Sequence, residues 1–443
     1  MDKESLKNNH INSNMRKVAL TALAGTSIEW YDFFLYGAAA ALIFPTAFFG
    51  EAPPSTALIL SLLTFAAGFI ARPIGGIIFG HFGDKIGRKK TLISALMLMG
   101  ISSTLIGLLP TYAMIGVAAP ILLTLLRFAQ GLAIGGQWGG AMLLVTESAP
   151  SNQRGYYGAF AQAGAPIGVI LANLALIITS ALVSEEFFNT WGWRIPFLAS
   201  AVLIVISMYI QLNLEDTEAF KELAVHRNAQ QGDVETVIQR SPIIEAIRKY
   251  PKRIILAAGA FLSVQVTFYI LIAFLLAYGV QSVNMARDDM LAAVLIASAI
   301  MVPMQFVFSS YSDRHGRRGI FMLGAVLSGL WAFAIFPLVD TGNFLLIVLA
   351  ISGGLIFLAM MYGPQAAFFT ELFSTEVRYS GATLGYQFGA IIGGAFAPTI
   401  AVKLWTELDI FWVSVYIAFA ALLTLLSVMA LTETYQSDLN KTQ

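Results

Sequence analysis

The chain has 443 residues, of which 57% are apolar and only 12% are Asp, Glu, Lys or Arg. Because that charged share is about half the usual value for soluble domains, the composition excludes a water-soluble globular protein and a disordered one. The same composition excludes a nucleic-acid-binding protein, whereas basic and acidic residues balance at 26 each, so the net charge says nothing about partners. The mean hydropathy of +0.74 indicates a chain that lies mostly in lipid.

Residues that build metal and redox sites are scarce. The chain has no cysteine, which excludes disulfides, thiolate metal ligands and thiol chemistry. Its four histidines fall in predicted tails or loops, and no glycine-rich segment follows a strand or ends in Lys-Ser/Thr as a phosphate-binding loop would. We therefore expect no metal, no cofactor and no nucleotide-driven pump.

Apolar runs long enough to cross a bilayer as helices recur along the whole chain. A bilayer core needs about 20 such residues, and helices satisfy their own backbone hydrogen bonds in lipid. Twelve runs meet this requirement, so we predict an all-α membrane protein with twelve transmembrane helices. The predicted spans are 18–44, 56–81, 91–109, 115–146, 156–182, 195–214, 254–280, 290–311, 319–338, 343–369, 380–404 and 410–431.

The basic residues predict the orientation of these spans. Lys and Arg near span ends resist translocation. If the N-terminus is inside, only Arg194, Arg287 and Lys403 of the 26 basic residues fall in outside loops. We therefore predict cytoplasmic termini. The predicted domains are a tail at 1–17, a six-helix bundle at 18–214, a cytoplasmic linker at 215–252, a second six-helix bundle at 253–431 and a tail at 432–443.

Two loop motifs occur twice, in the same order. The first repeats at a constant offset of 229 residues and the second at 224. Duplicated halves of this kind place a binding site near the membrane midplane, between the repeats. The matching residues are Asp84, Gly87 and Arg88 with Asp313, Gly316 and Arg317, and then Glu147 and Arg154 with Glu371 and Arg378.

These motifs resemble those of the major facilitator superfamily, and six further segments are similar to its metabolite:proton symporter branch. That branch includes carriers for shikimate, alpha-ketoglutarate, citrate, and proline or betaine. The resemblance implies two pseudo-symmetric six-helix bundles that work by alternating access. The six segments are Ile28–Phe33, Ala71–Gly75, Arg127–Gly131, Gly139–Ala141, Thr146–Pro150 and Trp191–Phe197.

The repeated loops also carry a charge cluster. The resemblance implies that such clusters latch the halves together on the cytoplasmic side and break when the carrier opens inward. Asp84 with Arg154, and Asp313 with Arg378, are then expected in pseudo-symmetric places. The alternative is a surface cluster that only anchors the topology. The residues of this predicted cytoplasmic gate are Asp84, Arg88, Glu147, Arg154, Asp313, Arg317, Glu371 and Arg378.

Four charged residues fall well inside predicted spans: Glu29, Asp32, Arg72 and Arg127. Each costs about 3 kcal/mol at mid-helix on insertion scales, so a role is expected for them. From their depths we pair Asp32 with Arg127, and Glu29 with Arg72. The alternative is a pair of static ion pairs that hold the first bundle together.

A carboxylate that faces an arginine across a wet cavity can couple two binding events. Its proton affinity depends on whether the arginine is engaged elsewhere. An anionic solute that draws Arg127 away would favour protonation of Asp32, with Glu29 as a neighbour. In the segment Gly135–Gly140, Gln137 stands where the branch usually has Glu, so that proton-carrying group is absent here.

The second half contributes uncharged polar groups within its spans. The resemblance implies that spans seven and ten line the cavity, so Gln265, Tyr269, Tyr362 and Gln365 are the preferred substrate ligands there. Each of them has the alternative role of a helix–helix hydrogen bond. Arg72, Arg127 and Gln137 complete the predicted substrate site.

We predict a secondary active transporter, not an enzyme, that takes up a small organic acid together with a proton. Its partners are this metabolite, the proton and the bilayer of the bacterial cytoplasmic membrane, and the protein is expected to be a monomer. The alternatives are a proton antiporter, a facilitator of a zwitterionic or neutral solute, and a non-transporting substrate sensor.

Overall fold

The computed structural model describes the backbone of residues 3–86, 88–216, 242–374 and 378–435. Every regular element in these ranges is helical. Within these ranges, side chains are not described for residues 3–14, 80–86, 88–89, 92, 136–144, 147–148, 210–216, 242–245 and 379.

The described residues form twelve long helices, as the apolar runs predicted. Helices α7 and α11 each contain a π-helical turn, at Ile270–Phe274 and Ala390–Ala395. The helices are α1 Lys3–Leu42, α2 Pro54–Ile86, α3 Arg88–Leu108, α4 Ala118–Ser148, α5 Arg154–Leu182, α6 Ile195–Asp216, α7 Pro251–Gln281, α8 Arg287–His315, α9 Arg317–Val339, α10 Phe344–Glu371, α11 (Arg378–Gly389, the π-turn and Ala397–Glu407) and α12 Ile410–Ala430. Short helices in the connections are Phe44–Phe49, Tyr112–Ile115, Glu185–Thr190, Gly192–Arg194 and Pro242–Lys249.

Most of these helices can cross a bilayer. In the described part of the chain, 10 segments are long and apolar enough, and α3 adds a shorter apolar stretch at Ile93–Leu108. Helix α1 begins at Lys3, well before the predicted residue 18. Large apolar side chains such as Leu182 and Leu345 are 79% and 73% exposed. Such an outer surface is compatible with lipid and not with water.

The two halves repeat the same packing. In the first half, α1 contacts α5 and α6, α2 contacts α4, and α3 contacts α4 and α6. The same pairs recur six helices later: α7 with α11 and α12, α8 with α10, and α9 with α10 and α12. This correspondence is the structural counterpart of the repeated loop motifs.

Small residues allow the closest of these contacts. A Cβ atom on Gly131 would overlap the backbone of Gly68, and one on Gly135 would overlap the backbone of Arg72. Helices α2 and α4 therefore approach each other backbone to backbone at these glycines. This approach brings Arg72 and Arg127, one from each helix, into the same region of the first half.

The halves meet along two pseudo-symmetric seams, α5 with α8 and α2 with α11. Aromatic rings fill the space between the seams. Tyr269 of α7 packs with its ring centroid 5.0 Å from Phe69 and 5.7 Å from Phe65, both on α2. The candidate site lies at this aromatic junction.

Candidate functional site

Two fully buried arginines occupy the centre of the first half. Arg127 is 0% exposed and Arg72 is 1% exposed. Their guanidinium carbons lie 4.1 Å and 4.3 Å from the ring centroid of Phe33, so the two carbons are at most 8.4 Å apart. Aromatic faces attract cations through the ring quadrupole. The side chain of Phe33 therefore helps to hold two like charges close together.

More rings surround each guanidinium group. Arg127 also lies 4.3 Å from the ring of Tyr36 and 4.7 Å from that of Phe65. Arg72 lies 4.5 Å from the ring of Phe69 and 5.3 Å from that of Trp30. These contacts replace only part of the lost hydration, because ring faces accept hydrogen bonds weakly.

The predicted ion pairs are wrong for this conformation. Neither the Asp32–Arg127 pair nor the Glu29–Arg72 pair forms a salt bridge, although the structure describes all four side chains. The reason lies in the helical rotation of about 100° per residue. On α1, Phe33 faces the two arginines, whereas its neighbour Asp32 faces α3 and α6.

Asp32 is 2% exposed and is held by serine hydroxyls. Ser200 of α6 donates a very short hydrogen bond to its Oδ1 atom. The hydroxyl of Ser103, on α3, lies close to the same carboxylate.

Ser103 also links this carboxylate to Arg127. The Nη1 atom of Arg127 donates to Oε1 of Gln130 over 3.0 Å, and Nε2 of Gln130 donates to Oγ of Ser103 over 2.7 Å. Two neutral side chains, Gln130 and Ser103, therefore lie between Arg127 and Asp32. The sequence analysis missed Gln130 and Ser103, although the spacing of three residues from Arg127 to Gln130 on one helix was a usable signal.

Both arginines keep nitrogen atoms without acceptors. The Nε and Nη2 atoms of Arg72 and of Arg127 are buried and have no hydrogen-bond partner among the described residues. The second carboxylate oxygen of Asp32, Oδ2, also lacks a donor within hydrogen-bond geometry. Buried polar atoms of this kind are rare in folded proteins and call for an explanation.

A small cavity, with room for about one water molecule, lies between the halves. None of the described acidic or basic side chains lines it. Trp30 and Tyr269 line it and also contact Arg72. The ring of Trp30 lies against the guanidinium group, and the hydroxyl of Tyr269 lies close to it. The lining residues are Trp30, Phe34, Ala165, Val264, Gln265, Phe268, Tyr269, Leu358, Tyr362 and Tyr386.

Three of the four ligands predicted in the second half line this cavity. They are Gln265, Tyr269 and Tyr362. The Nε2 atom of Gln265 is buried and has no partner among the described residues. The hydroxyl of Tyr362 lies close to that of Tyr386.

Gln365 lies at the seam instead of in the cavity wall. Its Oε1 atom accepts a hydrogen bond of 3.0 Å from Nε2 of Gln162, on α5. The same Nε2 atom donates to the backbone oxygen of Tyr362 over 3.1 Å. Gln162 therefore connects the first half to the wall of the cavity, and the sequence analysis missed it.

A buried ion cluster closes the seam at the ends of α5 and α8 where Gly155 and Asp313 meet. Asp313 accepts hydrogen bonds of 2.8 Å from the backbone N–H groups of Gly155 and Tyr156, at the N-terminus of α5. It also pairs with Arg317 at 2.6 Å, where the sequence had predicted Arg378 in this place. A carboxylate at a helix N-terminus is favourable because the backbone N–H groups there lack helical acceptors.

Glu371 completes this cluster from α10. Arg317 pairs with it at 3.2 Å, and Arg154 of the other half lies 3.9 Å away. Thr434, just beyond α12, donates to the same carboxylate over 2.8 Å. Arg378 is buried and donates to the backbone oxygen of Phe373 over 3.3 Å. We call Asp313, Arg317, Glu371, Arg154 and the first amides of α5 the latch cluster.

Four predicted site residues have side chains outside the described part of the structure. They are Asp84, Arg88, Gln137 and Glu147. Their predicted roles therefore stay predictions.

Twelve long helices in two packing repeats, with a cavity between the halves, are the architecture of a multi-pass membrane transporter. The sequence profile of the Major Facilitator Superfamily matches residues 22–384. The chain belongs to this family, and like its relatives it is a transporter of metabolites and not an enzyme.

Similar proteins cover nearly the whole chain. The inner membrane metabolite transport protein YhjE of Escherichia coli is 40% identical over 97% of this chain and 96% of its own length. The shikimate transporter of E. coli is 36% identical over 96% of both chains. A proline/betaine transporter of Salmonella typhimurium is 34% identical over 95% of this chain and 84% of its own length. A partially occluded, inward open structure of the xylose transporter XylE from E. coli shares the fold, with a TM-score of 0.69 at 16% identity over 95% of this chain and 99% of that one.

Proposed function

We propose that this transporter takes up a small organic acid together with a proton. One observation carries the proposal: Arg72 and Arg127 are fully buried, and neither has a carboxylate partner among the described side chains in this conformation. The curated relatives that are named for shikimate and for proline or betaine carry solutes with a carboxylate, which supports the same class.

The energetics of burial explain why these arginines favour an anion. Removing a charged group from water carries a penalty of several kcal/mol even after relaxation, and an unpaired buried charge is especially unfavourable. Stacking on aromatic rings returns about 2 kcal/mol or more for a desolvated contact. A carboxylate can bind the fork of a guanidinium group through two parallel hydrogen bonds, which rings cannot offer. The unsatisfied Nε and Nη2 atoms lie on one edge of that fork.

The cavity defines the rest of the solute. In this conformation the cavity has room for about one water molecule, so a small metabolite can occupy it only when the two halves move apart. Trp30 and Tyr269 contact both the cavity and Arg72, so a carboxylate has a short route from the cavity to the guanidinium group. The free N–H of Gln265 and the tyrosine hydroxyls suit hydroxyl or carbonyl groups on the solute.

Asp32 is our candidate for the proton site, with Glu29 as a neighbour on the same helix. Asp32 is the buried carboxylate connected to Arg127, and one of its oxygens has no donor. If the solute engages Arg127, the field that keeps Asp32 ionised weakens, and a proton can bind. Proton binding and solute binding then favour each other.

The proposal includes the orientation and the gate. The termini lie in the cytoplasm of a bacterial cell, and the latch cluster closes the cytoplasmic side, together with Asp84, Arg88, Glu147 and Arg378. The domains are the bundles at 18–214 and 253–431, joined by the linker at 215–252 between tails at 1–17 and 432–443. Gln137 belongs to the substrate site, and the working unit is a monomer.

Transport by purified protein in proteoliposomes tests this function. A thermal-shift panel of shikimate, succinate, citrate, proline and glycine betaine first selects the probe, defined as the acid with the largest stabilising shift. With an inward proton gradient, we expect the wild type to accumulate the radiolabelled probe. Asp32→Asn should abolish this accumulation but keep counterflow exchange, because exchange needs no net proton movement.

Asp340→Asn is the matched control. Asp340 accepts a hydrogen bond of 2.6 Å from Tyr278 within the second half, away from the arginines. It should accumulate the probe like the wild type. Equilibration that ignores the gradient would show a facilitator, and accumulation driven by an outward gradient would show an antiporter. Absence of flux with retained binding would show a sensor.

A further inference from the structure

A chain of hydrogen bonds joins four helices of the first half. Hydrogen bonds run from Arg127 on α4 to Gln130 and then to Ser103 on α3, whose hydroxyl lies close to the carboxylate of Asp32 on α1, and Ser200 of α6 donates to that carboxylate from the other side. All five side chains are between 0% and 2% exposed. We call this set the relay.

The direction of every hydrogen bond in the relay follows from Arg127. A guanidinium group only donates, so the amide of Gln130 must turn its oxygen to Arg127 and its NH₂ group to Ser103. Since Ser103 accepts from Gln130, its own hydroxyl proton is available to Asp32. An ionised carboxylate only accepts and fits the end of this chain.

A protonated Asp32 does not fit the relay in this direction. The neutral acid has an O–H group that must donate, and both hydroxyls next to it, Ser103 and Ser200, are oriented to donate as well. One of them must turn and accept. Ser200 can turn toward the backbone oxygen of Pro196, which lies 3.4 Å from its Oγ atom. If Ser103 turns instead, its hydroxyl proton needs a new acceptor, and Gln130 supplies one only if its amide rotates by 180°, which would set the NH₂ group against Arg127.

We propose that Gln130 and Ser103 are positioning residues that couple solute binding at Arg127 to protonation of Asp32. This inference rests on the proposed function. When the solute carboxylate accepts hydrogen bonds from Arg127, the guanidinium group leaves Gln130, and the amide is free to rotate. Ser103 then accepts from Asp32, which takes one proton from the aqueous side as the carboxylate becomes a carboxylic acid.

The surroundings contain few other groups that could do this. Among the described residues, the titratable side chains that act on Asp32 or Arg127 are Tyr31 and Tyr36 on α1, Arg72 on α2 and Tyr269 on α7. Tyr31 donates to the backbone oxygen of Pro196, and Tyr36 shares a hydrogen bond with Thr64. Glu29 and Arg72 lie outside the hydrogen-bond sequence of the relay.

Two variants break the relay without changing a charge: Gln130→Leu and Ser103→Ala. Obligate one-proton coupling makes the KM of the probe fall up to about tenfold per unit decrease of external pH, because the two binding events are linked. In both variants we expect this dependence to flatten to about twofold or less. Gradient-driven accumulation should fall at least about tenfold, with counterflow exchange retained.

The controls separate positioning from folding. Ser103→Thr keeps the hydroxyl and should restore the pH dependence of KM. Ser102→Ala removes a buried serine next along α3, and Gln305→Leu removes a buried glutamine of α8 that has no side-chain partner among the described residues, so both should behave like the wild type. A merely structural role would lower exchange and accumulation together and leave the pH dependence intact.

The outcomes also separate this inference from the proposed function. If the wild type accumulates the probe and the two relay variants keep its pH dependence, the relay is refuted and the symporter stands. If Asp32→Asn keeps gradient-driven accumulation, the proton site is elsewhere and the relay is refuted as well. If the wild type shows no gradient-driven accumulation, both proposals are wrong.

Discussion

The latch cluster should control how often the protein opens at the end where α5 begins. Asp313 is its key carboxylate, because it accepts from the backbone N–H groups of Gly155 and Tyr156 across the seam, each at 2.8 Å. Its bond to Arg317 stays within one half and survives opening. Among the interactions of Asp313, it is therefore the two cross-seam bonds and the charge at the helix N-terminus that differ between the closed state and the open one.

The substitution Asp313→Asn changes both contributions. An amide has one acceptor oxygen, so one of the two cross-seam bonds is lost. Hydrogen bonds to charged groups are worth about 1.5–3 kcal/mol, and a charge at a helix N-terminus about 0.3–1 kcal/mol. The closed state should therefore lose about 2–4 kcal/mol, which corresponds to a ~30- to ~700-fold shift toward the open state.

The absence of cysteine from the chain makes this shift measurable. Ser309 is fully buried at the seam, where its backbone oxygen faces Gly155, so Ser309→Cys adds a single near-isosteric thiol. A buried thiol reacts with a maleimide in proportion to the open population when opening is fast. Adding Asp313→Asn should raise the labelling rate at least about tenfold, until the open form dominates.

Asp340→Asn in the same background is the control, since Asp340 holds Tyr278 within the second half and does not cross the seam. Its labelling rate should match the parent. A rate in the Asp313→Asn variant within about twofold of the parent would refute the reasoning, because it would mean that the cross-seam bonds do not hold the closed state.

Two further predictions concern the arginines and the helix packing. Arg127→Lys should weaken binding of the probe acid at least about tenfold in a thermal-shift titration, because an ammonium group lacks the fork geometry of a guanidinium group. The control is Arg194→Lys, at a buried arginine that donates to the backbone of Leu109, and it should leave the affinity unchanged. Equal affinities of the two variants would move the anion site to Arg72. Gly135→Ala should lower the free energy of unfolding by about 1–3 kcal/mol, because the added methyl group overpacks α2 against α4. Gly319→Ala is the control, since a Cβ atom there meets no atom within 4 Å, and it should not lower this free energy. Equal unfolding midpoints of the two variants would contradict the packing argument.

The helices were predictable from the sequence because a lipid environment permits few backbone structures. Backbone groups in a bilayer core must be satisfied within a segment, so each apolar run of sufficient length becomes a helix. The predicted span 410–431, for example, is the helix Ile410–Ala430. The start of α1 was predicted too late because its polar first turns lie outside the apolar run.

The site was predictable only in part. Charge singled out Asp32, Arg72 and Arg127, since charged residues are rare in apolar spans. Their pairing was wrong because depth along a helix can be counted from sequence, whereas the facing direction cannot. An error of one residue turns a side chain by about 100°, the difference between Asp32 and Phe33 on α1.

The aromatic walls of the cavity were predictable only in the second half, where Tyr269 and Tyr362 were among the expected ligands. The chain has 32 Phe, 15 Tyr and 7 Trp, so aromatic residues occur on every face of most helices. Trp30 and Phe34 differ from the rest only in their tertiary position, beside Tyr269 and Tyr362 of the other half. The neutral relay residues Gln130 and Ser103 were missed for the same reason, because polar uncharged groups are common between membrane helices.

Helix α5 connects these parts physically. Its first amides bind Asp313, Gln162 binds α10 beside the cavity, and Ser180 donates to Asp288 of α8 over 2.6 Å near the other end. From residue 155 to residue 180 the helix rises about 38 Å, so one rigid element touches the second half across the depth of the bilayer. Opening at either end must break the contacts at that end, and both sets are formed here. The backbone oxygen of Tyr362 accepts a hydrogen bond from Gln162 of α5, so a solute that moves Tyr362 in the cavity also pulls on α5. Such a solute can therefore favour opening at one end of α5 over opening at the other without contacting either end.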